Sequence, residues 1–235
     1  MTGVQTCALP IYVDTLRILG IVKDSFLPLL VAGIKFTIPV AVISFILGSI
    51  LAMLTALARI SKYKLLNLIS SLYVWIIRGT PLLVQLFILF YGLPAAGITI
   101  GALPAAIIGF TLNVGAYNSE VIRASILSIP KGQWEAASSI GMTHTQSLLR
   151  IILPQAARVS VPPLSNSFIS LIKDTSLAAA ITLTEMFQVA QQITATTYEP
   201  LVLYCEVAFI YLIFCTVLTI IQQRIEKKLE RYVAR

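Results

Sequence analysis

Residues 36–58, FTIPVAVISFILGSILAMLTALA, are 23 consecutive residues without a charged side chain. One helix needs about 20 mostly apolar residues to cross the hydrocarbon core of a bilayer. The run ends at Arg59, and Lys62 and Lys64 follow it, so charge returns as soon as one crossing is complete. The stretch therefore predicts a first transmembrane helix.

The composition of the whole chain indicates an all-α membrane protein. Of its 235 residues, 57% are hydrophobic and 11% are charged, and the mean hydropathy is +0.89; an ordinary soluble domain is about 25% charged. The length allows about five spans with short connections. The other spans are predicted near residues 66–92, with a kink at Arg78-Gly79-Thr80-Pro81, and near 102–122, 159–172 and 200–223. A short helix is predicted at 183–196, because Thr182 and Glu185 have the spacing of a capping box.

The positive charges predict which side of the membrane each end of the chain faces. Residues 59–65, 123–158 and 224–235 carry 12 of the 17 Lys and Arg residues. Cytoplasmic loops of membrane proteins carry an excess of these residues. The N-terminus is therefore predicted outside and the C-terminus in the cytoplasm. The net charge of +7 is interpreted through this asymmetry, with the lipid bilayer and not nucleic acid as the partner.

The first residues and the cysteines are set apart from the fold. Residues 2–11, TGVQTCALPI, are the conceptual translation of a common sequencing-library adapter, so residues 1–11 are predicted to be non-native. Residues 12–235 are expected to form one transmembrane domain with a polar loop at 123–158. The three cysteines have no CxxC spacing and no nearby histidine cluster, so no metal site is predicted.

The loop between the predicted third and fourth spans carries a spaced motif. Glu135-Ala136-Ala137 is followed after three residues by Gly141, and after nine more by Ile151, Leu153 and Pro154. This pattern resembles the signature loop of permease subunits of bacterial ATP-binding-cassette importers. The resemblance implies that these seven residues couple the chain to an ATPase.

A docking role suits the residue types in this loop. Pro130 fits the first turn of a helix, and small Ala and Gly side chains let that helix lie close to another protein. The spacing predicts that Trp134, Ala137, Ser138 and Gly141 share one helical face. The alternative is an amphipathic helix that only rests on the membrane surface.

The resemblance extends from about residue 26 to the C-terminus. Further segments look like the polar amino-acid branch of these permeases, with cystine-type permeases nearest in appearance: RGTPLLVQLF at 78–87, AYNSEVIR at 116–123, SIPKGQ at 128–133 and PLSNSFISLIKDTSL at 163–177. The resemblance implies the type I ABC importer permease fold and a location in the bacterial cytoplasmic membrane. The implied partners are two cytoplasmic ATP-binding-cassette subunits, a second permease copy or homologue, and an external amino-acid-binding protein. ATP and Mg would be held by the ATPase, and no cofactor by this chain.

Polar residues within the predicted spans suggest a substrate path. An ionisable residue at the bilayer centre costs ~2.5–3.5 kcal/mol and usually faces the bundle interior. Arg78 is expected either to act as a gate or binding residue, or to bond the carbonyls that Pro81 frees. Glu120 belongs either to a pocket for a zwitterion or to an ion pair with Arg123.

The remaining candidates follow from shared faces and from the motif segments. Asn113 and Tyr117 lie on the helical face of Glu120. Asp174 is expected either to act in gating or binding, or to pair with Lys173 or cap the next helix. The candidate substrate path consists of Arg78, Thr80, Gln85, Asn113, Tyr117, Glu120 and Asp174.

Missing motifs argue against catalysis in this chain. It lacks the phosphate-binding pattern GxxxxGK[ST] and the HExxH and GxSxG patterns, and its only histidine, His144, is interpreted as structural. Two other classes of protein stay open. A secondary transporter would show inverted repeats and broken half-helices, and no convincing repeat is found. A non-transporting membrane scaffold would have no need of Glu120, Asp174 or the Arg-Gly-Thr-Pro kink.

Overall fold

The structure is a computed structural model that describes residues 15–230, with side chains for residues 17–228. The predicted non-native residues 1–11 lie outside the described residues. Within the described range the regular elements are all helical. The α-helices there are α1 Thr15–Ala32, α2 Ile38–Ile60, α3 Lys64–Gly79, α4 Leu82–Phe87, α5 Ala102–Leu127, α6 Lys131–Ser139, α7 His144–Ser147, α8 Leu153–Asp174, α9 Met186–Thr197 and α10 Pro200–Glu230.

Among the described residues, two long helices are apolar enough to cross a membrane. A π-helical turn at Gly33–Thr37 joins α1 to α2, so one helix runs from Arg17 to Ile60 and extends well beyond the predicted start at residue 36. The second candidate is Pro200–Lys228 in α10. The bent pair Lys64–Gly79 and Leu82–Ala96 would be a third. Helices α5 and α8 are long enough to cross a membrane, but they are more polar than a typical span. The total of five spans therefore stays a prediction.

Glycines allow α2 and α5 to pack closely along their lengths. A Cβ atom on Gly48 would lie 2.6 Å from Cγ1 of Val114, and one on Gly115 would lie 2.8 Å from Cδ2 of Leu51. Small residues at such contacts let helix backbones approach within a membrane, where dispersion between the helices provides much of the attraction. Phe110 of α5 is fully buried in the core beside this contact.

A sharp bend separates α3 from α4. The helix axes differ by 104°, Thr80 is extended, and Pro81 precedes the first residue of α4. Pro81 has no N–H, so the carbonyl of Ile77, four residues earlier, loses its helical partner. The buried side-chain amide of Gln85 replaces that donor: its Nε2 donates to the Ile77 carbonyl at 2.8 Å and to the Thr80 carbonyl at 3.1 Å. Gln85 therefore bonds the carbonyls that Pro81 frees, a role that the sequence had suggested as one alternative for Arg78.

The predicted capping box before α9 is wrong. Thr182 adopts a left-handed conformation with φ of 63°, because it ends a 3₁₀ segment at Thr175–Ile181. Glu185 is itself the N-cap, and one of its carboxylate oxygens accepts from the backbone N–H of Gln188 at 2.7 Å. The other oxygen accepts from the hydroxyl of Tyr211 on α10 at 3.0 Å, so a tertiary contact helps to fix where α9 begins.

Adding one methyl group at the α2–α5 contact should destabilise the protein. Gly48→Ala forces the close pair of helices apart, and overpacking of this kind costs about 1–3 kcal/mol. Gly20→Ala in α1 is the matched control, since no heavy atom lies within 4 Å of its added Cβ. We expect the thermal unfolding midpoint in detergent to fall for Gly48→Ala and to hold or rise for Gly20→Ala. Equal midpoints would contradict the packing described here.

Removing the amide of Gln85 should destabilise the bend. Gln85→Met keeps the length of the side chain but leaves the Ile77 and Thr80 carbonyls without that donor, at a cost of about 1–3 kcal/mol for a buried polar group. Val84→Met is the control on the same helix, because Val84 is exposed. Thermal unfolding should separate the two variants, and a Gln85→Met protein as stable as the control would show that the bend does not depend on this side chain.

Candidate functional site

A cavity of about 600 Å³ lies between the α3–α4 bend, α5 and α8, and is called the main cavity below. Six of the seven predicted substrate-path residues line it: Arg78, Thr80, Asn113, Tyr117, Glu120 and Asp174. Gln85 is the exception, because it lies behind the bend and holds it. The structure thus brings together side chains from residue 78 to residue 174 that are far apart in the sequence.

One face of α8 supplies a polar wall that sequence reasoning largely missed. Asn166, Ser167 and Ser170 line the main cavity together with Pro163 and Asp174. These residues are three to four positions apart or adjacent, which is the spacing of one helical face. A polar stripe at this spacing in an otherwise apolar helix was the available signal. From Pro163 to Asp174 the helix rises roughly 16 Å, so the cavity is elongated.

Glu120 is held by two arginines. Its Oε2 accepts from Nη2 of Arg123 at 3.0 Å and from Nε at 3.3 Å, and its Oε1 pairs with Nη1 of Arg59. The ion pair with Arg123 was one of the two alternatives from the sequence, whereas the contact with Arg59 was not foreseen because that residue ends a different helix. Both carboxylate oxygens of Glu120 are therefore occupied by cations in this conformation.

Arg78 and Asp174 are the charged residues of the main cavity that lack an ionic partner among the described residues. The guanidinium carbon of Arg78 lies 5.2 Å from the ring centroid of Tyr117, a cation–π contact. Asp174 ends α8 and forms no ion pair with Lys173 in the described part of the chain. One cation and one carboxylate thus remain available to a charged ligand.

Helix α6 of the motif loop is fixed to the rest of the chain by one face. Ala137 is only 1% exposed, and Trp134 packs against a cluster that includes Ile152. The ring of Trp134 also stacks on that of His144, with centroids 4.8 Å apart. Glu135 and Ala136 are exposed, so the surface of α6 that is open to a partner lies away from Ala137.

Gly141 ends the motif helix and is not part of its face. It has φ of 79°, its N–H donates to the Ser138 carbonyl at 2.9 Å, and the N–H of Met142 donates to the Ala137 carbonyl at 3.1 Å. These are the two bonds of a Schellman C-cap, in which a glycine adopts the left-handed conformation. The expectation that Gly141 shares a helical face with Trp134 and Ala137 is therefore wrong.

The last motif residues attach the loop to α8. Ile151 and Leu153 pack against the same apolar cluster as Trp134, and Pro154 is exposed in the first turn of α8. A capping box at Thr143 starts α7, which continues through a π-helical turn at Leu148–Ile152 into α8. The loop therefore joins α5 and α8 directly, and both helices line the main cavity.

The described residues offer no cluster of three or more His, Cys, Asp or Glu side chains suited to a metal ion. Cys205 and Cys215 are both free thiols. In the main cavity the ligand-facing groups are amides, hydroxyls, one guanidinium and carboxylates.

Known proteins similar to this chain share its length. The L-cystine transport system permease protein TcyB of Bacillus subtilis (strain 168) is 59% identical over 216 residues, which are 92% of each chain. The probable amino-acid ABC transporter permease protein YckA of the same organism is 42% identical over 210 residues, covering 89% of this chain and 92% of that protein. The crystal structure of an amino acid ABC transporter with histidines matches with a TM-score of 0.83 and 32% identity, over 88% of this chain and 96% of that chain.

Residues 44–231 match the family described as binding-protein-dependent transport system inner membrane component. The match includes the α2–α5 contact, the bend, the main cavity and the motif loop. Together with the structural likeness it confirms the predicted all-helical importer permease fold and the resemblance carried by the Glu135-Ala136-Ala137 motif. The chain therefore belongs to the family of inner membrane components of binding-protein-dependent transport systems.

Proposed function

We propose that this permease subunit carries a polar amino acid, with L-cystine as the favoured cargo, through the main cavity. The single observation that carries the proposal is the presence in one cavity of a cation, Arg78, and a carboxylate, Asp174, that have no ionic partner among the described residues. Support for L-cystine comes from the similarity to the TcyB permease.

The cavity chemistry suits a zwitterion. Arg78 is a donor for an α-carboxylate, and Asp174 is an acceptor for an α-ammonium group. The Thr80 hydroxyl is not a free donor, because it already donates to the Ile76 carbonyl at 2.9 Å. Asn113 and the serines of α8 provide neutral donors and acceptors between them. Glu120, proposed from the sequence as a pocket residue, keeps the wall in place through Arg59 and Arg123 and is a weaker candidate for the ammonium group.

The length of the cavity supports a cargo with two amino-acid head groups. A wall that rises roughly 16 Å along α8 offers polar groups at several depths. A compact amino acid would contact one part of that wall at a time. An extended cargo with a carboxylate and an ammonium group at each end would contact polar groups at both ends of that wall together.

Coupling to ATP is assigned to the motif loop. We propose that an ATP-binding-cassette subunit docks on the exposed surface of α6 around Glu135 and Ala136, with Ala137, Gly141, Ile151, Leu153 and Pro154 keeping α6 in position. Two such subunits would serve a pair of permeases, one of them this chain, and hold ATP and Mg. An external binding protein would deliver the cargo, with the C-terminus and the loop at 123–158 in the cytoplasm. This chain would bind no cofactor.

Reconstitution tests the proposed cargo. The permease would be placed in liposomes with its ATPase and binding protein, and uptake of labelled L-cystine would be compared with that of glutamine, histidine and methionine. We expect ATP-dependent uptake of L-cystine that the other amino acids compete with poorly. Uptake without ATP would favour a secondary transporter, and no uptake of any amino acid would favour a scaffold; either result would refute the proposal.

Substitution at Gly141 should separate loop geometry from side-chain size. Gly141→Val puts a β-branched residue in a left-handed conformation that it rarely adopts, at a cost of about 1–3 kcal/mol. Gly141→Asn is the matched variant, since Asn tolerates that conformation. No heavy atom lies within 4 Å of either added Cβ, so backbone conformation alone distinguishes the two. We expect Gly141→Asn to retain most ATP-dependent uptake and Gly141→Val to lose it while both insert; equal loss would show that size decides.

A further inference from the structure

A second cavity adjoins the main cavity and is called the inner cavity below. It measures about 430 Å³ and is lined by Arg59, Ser71, Val74, Trp75, Arg78, Gly79, Tyr117 and Glu120. Three of these residues, Arg78, Tyr117 and Glu120, also line the main cavity, so they form the wall between the two. The inner cavity lies toward Arg59 at the end of α2, which is the end predicted to face the cytoplasm.

The parts of this wall are held with unequal strength. Glu120 is bonded by two arginines from two helices. The other part consists of the Arg78 side chain on the Tyr117 ring, a single cation–π contact, and Tyr117 is 45% exposed. Gln85 fixes the backbone on both sides of Arg78 without touching its guanidinium. The Arg78 side chain is thus the part of the wall that can turn without unfolding the bend.

The charges around the inner cavity favour an anion. Arg59 and Arg78 line the cavity together with Glu120, the one carboxylate among its lining residues, and Arg123 also pairs with Glu120. The cluster therefore carries an excess of positive charge next to the buried Val74 and the exposed ring of Trp75. A carboxylate forms charge-assisted hydrogen bonds with a guanidinium, and these are stronger than a cation–π contact.

We propose that the inner cavity is a second binding site for a carboxylate group of the cargo, which enters it when Arg78 turns away from the Tyr117 ring. The proposal rests on the proposed function for the nature of the cargo. The carboxylate first bonds Arg78 from the main cavity, and Arg78 then leaves the ring with the carboxylate still bound. The wall opens as a result, and Arg59 provides the next positive charge along the path toward the cytoplasm.

Charge-selective labelling tests the binding site without any cargo. Ser71→Cys would be introduced into the full transporter with the other three cysteines replaced by serine, and treated with anionic and cationic methanethiosulfonate reagents. After correction for their rates with a free thiol, we expect the anionic reagent to react faster by roughly tenfold, the lower end of the range for electrostatic steering into a charged cleft. Arg78→Gln should reduce this preference, and Arg150→Gln, the same charge change in the motif loop, should not. No preference, or an equal reduction by both variants, would overturn the proposal.

Accessibility from the cytoplasmic side tests the wall. Ser170→Cys lines the main cavity only, so in inside-out vesicles a charged maleimide should reach it slowly. Tyr117→Ala should raise the labelling rate by roughly 2- to 30-fold, the equilibrium factor for loss of a cation–π contact, and Tyr117→Phe should not. If Tyr117→Ala fails to insert, Arg78→Gln makes the same test. If the labelling rate is unchanged in the variant that inserts, Arg78 and Tyr117 do not close the passage between the two cavities, and the proposal is refuted. Because neither labelling experiment uses an amino acid, failed reconstitution with a correct labelling pattern would reject the cargo and leave the site standing.

Discussion

The bond between the Gln85 amide and the Ile77 carbonyl is the interaction on which the cavity depends. Within a bilayer no water replaces a lost backbone hydrogen bond, so irregular backbone persists there only where the protein bonds the freed groups. Pro81 frees the Ile77 carbonyl, and Gln85 bonds it from one turn into the next helix. The chain can then bend by 104° and leave Arg78 and Thr80 at the edge of a polar space.

The opposite wall of the main cavity is connected to the motif loop. Helix α8 carries Asn166, Ser170 and Asp174 on its cavity face, and its N-terminal turn follows the motif loop without a break. Trp134 stacks on His144 at the start of the same continuous helix, and the buried Ala137 fixes α6 against it. Under the proposed docking on α6, a force on that helix would reach α8 through these packed aromatic and apolar side chains. The hydrogen bonds of Gln85 stabilise the bend, whereas α8 is joined to α6, the helix on which we propose that a partner docks.

Much of the fold and of the site follows from local sequence patterns. The charge-free run at 36–58 lies within a long apolar helix, the break at Arg78-Gly79-Thr80-Pro81 is present, and the helical spacing of Asn113, Tyr117 and Glu120 places them on one cavity wall. These features depend on neighbours within a few residues, or on proline chemistry that needs no tertiary context. Six of the seven candidates could be collected in this way even though the sequence did not say which helices meet.

The features that the sequence did not predict share a different cause. The partner of Glu120 on α2, the donor that seals the bend and the tyrosine that fixes the N-cap at Glu185 are each set by packing between helices. Gly141 was interpreted by size, because the sequence does not reveal that its φ is positive. Polar residues of α5 and α8 line the main cavity, and this position accounts for part of the polarity of the two helices.

Double electron–electron resonance on the reconstituted transporter tests most directly whether α8 moves relative to α4 while the α3–α4 bend keeps its geometry. Spin labels would be placed at exposed positions, with one pair joining Val84 on α4 to Val159 on α8 and a second pair joining Trp75 to Val84 across the bend. On trapping with ATP and vanadate, the account predicts a changed distance between Val84 and Val159 and an unchanged distance between Trp75 and Val84. A changed distance across the bend with a constant distance to α8 would contradict it.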